Sequence, residues 1–138
     1  MHATEALVRR YYAAFNAGDR TAMLALLHDQ VAHDPNQGTR RIGKPAFEQF
    51  LARMDGAYAE QLEDITVMVD PTGTRAAAEF TVVGTYLRTD EGLPEARGQA
   101  YRLPAGAFLA IEGGLIARIT TYYNLEDWVR QVSARETA

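Results

Sequence analysis

Asp34 stands directly before Pro35 in the stretch Val31-Ala32-His33-Asp34-Pro35-Asn36-Gln37-Gly38. The proline ring holds Asp34 in extended backbone and cannot continue a ladder, so the carboxylate closes a short strand at about 31–34. An acid at the end of a strand suits proton transfer between carbons beside a carbonyl, where a positioned base contributes roughly 10²–10⁴-fold. Lost hydration in an apolar pocket would raise its pKa and make it a better base. Asp-Pro-Asn is equally the composition of an Asx-type turn, in which the same carboxylate only caps its own backbone. His33 is adjacent, but neighbouring strand residues point to opposite faces, so His33 and Asp34 diverge if the strand persists through both. Tyr11, Tyr86 and Tyr123 are candidate polar handles for a ligand, or core residues whose hydroxyls meet backbone. His2, His28 and His33 form no i, i+4 pair and the chain has no cysteine, a pattern that argues against a metal site.

These residues need elements to hold them. Thr4 is placed to cap a first helix reaching about Ala17, with Leu7, Tyr11 and Phe15 on one stripe and Val8 and Tyr12 beside it. Gly18 ends it, and Asp19 caps a second helix carrying Met23, Leu24, Leu26 and Leu27. Pro45 opens a third, whose Phe47, Phe50, Leu51, Met54 and Tyr58 repeat at i, i+3, i+4 and i+7. Strand alternation follows in Ile65, Val67 and Val69, then an Asp70-Pro71-Thr72-Gly73 turn and a strand over 74–87. A polar loop separates that strand from another at about 98–111, which a Glu112-Gly113-Gly114 hairpin joins to a last one ending near Tyr123. Asn124 caps a final helix with Leu125, Trp128, Val129 and Val132 on its buried stripe. Long strands in succession cannot be βαβ units. The expected fold is therefore α+β, a curled, mostly antiparallel sheet wrapped around the N-terminal helices, with an internal pocket at the open end of the cone.

With 138 residues, 47% hydrophobic and 23% charged, the chain is expected to be one domain over 1–138. Its net charge of −4 argues against a nucleic-acid surface, and no apolar run approaches a membrane span. The N-terminus lacks a signal-peptide core, so a cytoplasmic protein is the expectation.

The order of elements, with Tyr-Tyr-Ala-Ala-Phe-Asn-Ala-Gly-Asp at 11–19 and Val-Ala-His-Asp-Pro at 31–35, resembles the nuclear transport factor 2-like superfamily. Within it the chain is similar to the SnoaL-like (polyketide cyclase) and ketosteroid-isomerase-related branch over roughly residues 4–133. The longest matching strings are HDPNQG at 33–38, AAAEFTVVGTYLRTDEGLP at 76–94, GQAYRLPAGAF at 98–108 and YYNLEDWVRQV at 122–132. The resemblance implies Tyr11 as the hydrogen-bond donor to an enolate oxygen and Asp34 as the proton shuttle. Pro104 and Phe108 align the second oxyanion carboxyl of ketosteroid isomerase with Gly106, where none exists. A missing donor costs on the order of 3 kcal/mol, so steroid isomerase activity is expected to be weak or absent. SnoaL-like cyclases usually carry their acid-base carboxylate near the last helix, where this chain has Asn124.

Strand parity and the resemblance together predict one cavity lined by Phe80, Val82, Gly84, Tyr86, Gly106, Phe108 and Tyr123. His33, Asn36 and Asn124 are expected to be substrate-binding, His33 alternatively a structural or rim residue, and Asp34 and Tyr11 enter from the helix side. The opposite face, with Glu79, Thr81, Val83, Thr85, Tyr101, Leu103, Leu109 and Ile111, is too apolar for water and is expected to pair two copies as a homodimer. Two function classes follow, with no cofactor in either. One is an isomerase or cyclase acting on a small, largely apolar molecule; the other is a non-catalytic ligand-binding or dimerisation module.

Overall fold

Helix α1, Ala3–Ala17, forms where the apolar stripe lies, and it buries Leu7, Val8, Tyr11 and Tyr12. The computed structural model describes residues 2–134. Gly18 ends α1 in the left-handed region (φ 69°), its N–H bonding the carbonyls of Ala14 and Phe15. The helix begins two residues earlier than expected. His2 is the cap, its Nδ1 accepting from the Thr4 amide at 3.1 Å. Thr4 is buried inside the helix and its hydroxyl donates to the Gly73 carbonyl at 2.7 Å, tying α1 to a distant hairpin turn. Asp19 caps α2, Arg20–Ala25, through the Ala22 amide, as expected. Helix α3, Lys44–Ala57, has Pro45 in its first turn, and α4, Leu125–Ser133, is capped by the Asn124 side chain on the Asp127 amide at 3.0 Å.

Six strands make one sheet: β1 Leu27–Asp34, β2 Arg41–Ile42, β3 Tyr58–Val69, β4 Arg75–Tyr86, β5 Ala100–Glu112 and β6 Leu115–Tyr123. Their order is β2-β1-β6-β5-β4-β3, antiparallel throughout except for the parallel pair β1 and β6. The fold is α+β, with helices covering the inner face of the curled sheet. Strand β3 is far longer than its 65–69 alternation suggested, because the register shifts between Glu63 and Thr66 around Asp64, whose φ is +55°. That bulge resets the parity, so Leu62 and Val67 both point inward although five residues apart.

Direct cross-strand partners share a face, and this decides where each side chain points. Phe80 lies opposite Ala105, and Ala105 opposite Tyr123, so all three face the helices. The odd-numbered residues of β5 are therefore the inner ones: Tyr101, Leu103, Leu109 and Ile111 are buried in the core. Gly106 and Phe108 are on the outer face, beside Glu79 and Ala77 respectively. The expectation for β5 was one residue out of register. Phe108 is aromatic but stands on the solvent side, whereas the even positions Arg102, Pro104 and Glu112 mark that side in the sequence. Pro104 is tolerated because the β5–β6 ladder ends at Ala105, leaving an edge there. Gln131 of α4 takes over the vacated edge, accepting from the Arg102 amide and donating to the Arg102 carbonyl, both at 2.8 Å.

Candidate functional site

The inner face of the sheet and helices α1, α3 and α4 enclose a cavity of about 370 Å³. Its walls include Tyr11 and Tyr12 from α1, Phe47 and Phe50 from α3, Phe80 and Val82 from β4, and Trp128 from α4. Its size falls within the roughly 300–1,000 Å³ of small-molecule sites. Of the residues expected to line it, Tyr11, His33, Asn36, Phe80, Val82 and Tyr123 do so. Asp34, Gly84, Tyr86, Gly106, Phe108 and Asn124 do not.

Asp34 faces away from the cavity. It shares an outer-face row with Thr120, Phe108 and Ala77. Arg40 grips it through two hydrogen bonds, at 2.6 and 2.9 Å, and the Thr120 hydroxyl donates to it at 2.6 Å. The Arg40 guanidinium, helped by Thr120, holds the Asp34 carboxyl at about 2, below its ordinary value of 3.8. The burial that would raise it is outweighed. The pocket placement of Asp34 is thus corrected by register: His33, its neighbour, takes the inward position, as the divergence of adjacent residues requires. His33 packs edge-on against Phe47 and Phe50, with ring centroids 4.9 and 4.4 Å apart. Burial among these rings pushes its pKa down to about 4, so the imidazole is neutral at pH 7.

Tyr86 is fully buried behind the cavity wall. Its hydroxyl donates to the Pro94 carbonyl at 2.7 Å and accepts from the Asp90 amide at 2.9 Å, pinning the 87–99 loop over the cavity mouth. Gly106 lies on the outer face, so its missing carboxyl is no loss to the cavity; the nearby inward position is Ala105. Asn124 is spent on capping α4. Asn36 accepts from the Tyr123 amide at 3.2 Å, which holds the loop after β1 against the end of β6.

The structure also supplies polar groups that the sequence did not single out. Glu60 and Asp90 both line the cavity. Asp90 accepts from the Tyr58 hydroxyl at 2.8 Å and from Arg53 at 3.4 Å. The Tyr101 hydroxyl donates to Glu60 at 2.5 Å. Burial raises the Glu60 carboxyl above its ordinary value, against the opposing effects of the Tyr101 hydrogen bond and Arg20. The signal for Glu60 was present as inward parity, Tyr58-Glu60-Leu62, but it lay in the half of β3 hidden by the bulge. Tyr11 and Tyr12 are each 4% exposed and pack edge to face at 5.0 Å between centroids. Burial raises both phenols, so the hydroxyls stay neutral donors, and both residues line the cavity. Chemically, the cavity offers an aromatic slot, neutral hydroxyl donors on the helix wall and a carboxyl on the sheet wall.

A family model described as a SnoaL-like domain matches residues 8–119. The chain belongs to the SnoaL-like domain family. A candidate polyketide cyclase from Pseudomonas putida is 61% identical, with 96% of this chain and 99% of that one covered, at a TM-score of 0.93. A second candidate polyketide cyclase, from Xanthomonas campestris, is 55% identical over 95% of this chain and 97% of its own, at a TM-score of 0.92. A nuclear transport factor 2-like protein of unknown function from Burkholderia pseudomallei is 17% identical, with 97% and 100% covered and a TM-score of 0.76. That likeness shows the superfamily fold alone. No curated protein matches the chain. Among the described residues of this SnoaL-like domain, no helix is long and apolar enough to cross a membrane.

Proposed function

We propose that this SnoaL-like domain binds one small, largely apolar molecule bearing a carbonyl or phenolic oxygen, and isomerises or cyclises it by proton transfer inside the cone. The observation that carries this reading is the cavity, which brings buried, neutral Tyr11 and Tyr12 hydroxyls to the same aromatic-walled space as the half-buried Glu60 carboxyl. Phe47, Phe50, Phe80 and Trp128 favour a flat, unsaturated guest through offset or edge-to-face stacking. A tyrosine donor aimed at an oxygen stabilises negative charge developing there, and in a dry site such a donor is worth several-fold more than in water. Asp34, committed to Arg40 outside the cavity, has no part in this reading.

The test uses 2-naphthol as a fluorescent guest. The protein is expected to bind one equivalent, and Val82→Trp, which fills the cavity from β4, to weaken binding at least tenfold while melting normally. Equal binding by Val82→Trp would overturn the reading.

A second part of the proposal is a homodimer through the outer sheet face, in the register now observed. Phe108 and Tyr122 are 53% and 57% exposed, pack edge to face at 6.0 Å between centroids, and neighbour exposed Met68 across Ala77. Aromatic side chains side by side on an open sheet face favour burial against a self-complementary copy.

A further inference from the structure

We infer that Glu60, paired with Tyr101 across Gly84, is the acid–base residue of the cavity and exchanges its proton with solvent through a separate groove on the sheet. This rests on the small-molecule reading above and names the group that performs its chemistry.

Three strands build the device. Glu60 of β3, Gly84 of β4 and Tyr101 of β5 are direct partners in one inward-facing row. Gly84 is the necessary gap: a Cβ there would collide with the ring and hydroxyl of Tyr101. The ring therefore lies across β4 and its hydroxyl reaches the Glu60 carboxyl two strands away. The same two side chains also border a second space, a shallow groove of about 580 Å³ open to solvent, formed with Ala59, Gln61, Val83 and Arg102. Glu60 and Tyr101 thus form part of the wall between the cavity and the more open groove. Asp90 and Glu91, the other carboxylates of the cavity lining, do not border that groove, and Asp90 is engaged by Tyr58 and Arg53.

The charged and titratable groups that act on Glu60 are the Tyr101 hydroxyl, Arg20 and Tyr123. Arg20 is itself held by Asp55 through bonds of 2.5–3.1 Å, so it offers a field rather than a partner. Burial dominates and moves Glu60 toward the pH at which an acid can both give and take a proton. As the carboxylate, Glu60 takes a proton from a carbon beside the guest's carbonyl. The C–H bond breaks, an O–H bond forms on Glu60, and the electron pair moves to the carbonyl oxygen, where Tyr11 and Tyr12 donate hydrogen bonds. The proton then returns to a different carbon of the guest, which completes an isomerisation, or leaves through the groove in exchange for one from water. No oxidant or further reactant is required.

The experiment again uses 2-naphthol, whose emission differs between the neutral and the anionic form, so a base beside the bound hydroxyl registers as anion emission. Wild type is expected to show anion emission that rises with pH at the midpoint of Glu60, and ¹³C NMR of the Glu60 carboxyl is expected to report that same midpoint. Glu60→Gln keeps the hydrogen-bond acceptor for Tyr101 and is expected to bind within threefold of wild type while losing at least tenfold in the anion-to-neutral ratio. Tyr101→Phe retains the carboxylate but removes the donor that favours its charge, so both midpoints are expected to move up together. Tight binding with an unchanged ratio in Glu60→Gln, or unmoved midpoints in Tyr101→Phe, would overturn the role of Glu60 and leave the binding reading standing. Binding insensitive to Val82→Trp would overturn both.

Discussion

Replacing Asp34 by asparagine removes the charge that Arg40 grips and leaves a side chain of the same shape for Thr120. The displacement of its pKa from 3.8 to about 2 corresponds to about 2 kcal/mol of native-state preference for the ionised form. Arg40 is more than half exposed, so solvent screening reduces the net value to about 1 kcal/mol. Because the native pKa is depressed, this contribution is complete above pH 3.8 and is lost as the pH falls through about 2. Urea denaturation of wild type and Asp34→Asn is therefore expected to differ by about 1 kcal/mol at pH 7, equivalent to roughly 3 °C in Tm, and to converge as the pH falls from 3.8 to about 2. Affinity for 2-naphthol at pH 7 is expected to stay within twofold, since the side chain lies on the other face of the sheet. A variant as stable as wild type at pH 7, or one that folds but binds tenfold more weakly, would refute the assignment of Asp34 to an outer-face ion pair.

His33 acts on the same acid side but at higher pH. Its native pKa, lowered from 6.5 to about 4, means the unfolded chain takes up a proton that the native one refuses, so stability falls as pH drops between those values. The full effect is about 3 kcal/mol, and His33→Phe is expected to flatten the stability profile from pH 6.5 to 4; an unchanged slope would mean another group is responsible. Phe108→Glu with Tyr122→Glu is expected to yield a monomer by sedimentation equilibrium at micromolar concentration without loss of helix signal, whereas a wild-type monomer would dismiss the outer-face dimer. Gln131→Ala leaves the Arg102 amide and carbonyl without their partner and is expected to cost about 1–2 kcal/mol in chemical denaturation, with faster amide exchange at Arg102.

Local physics made much of the fold legible before any coordinate. Apolar spacing located α1, α3 and α4, Gly18 stopped the first helix, and Asp19 and Asn124 capped the helices they precede, because each depends on residues within one or two turns. Successive long strands established the antiparallel α+β class in the same way, and the resemblance of long strings established the family. Parity within β4 placed Phe80 and Val82 correctly in the cavity. What local pattern could not supply was the phase of one strand against another. One residue of phase moved Phe108 and Gly106 to the solvent side and brought Tyr101 and Leu103 into the core, since successive side chains alternate faces.

The site depended on that phase even more than the core did. Asp34 and Glu60 are both carboxylates on strands, and composition alone does not separate them. Asp34 falls in the outer row beside Thr120, 86 residues away, where Arg40 keeps it ionised; Glu60 falls in the inner row with Tyr101, 41 residues away, where burial raises it. The sequence by itself determined where the helices form, the antiparallel α+β class and the family, and it offered Asp34 rather than Glu60 as the acid–base carboxylate. Only the tertiary structure decided which carboxylate faces the cavity, because a bulge at Asp64 and the pairing of β3, β4 and β5 choose the face, and the face sets the solvation that tunes the acid.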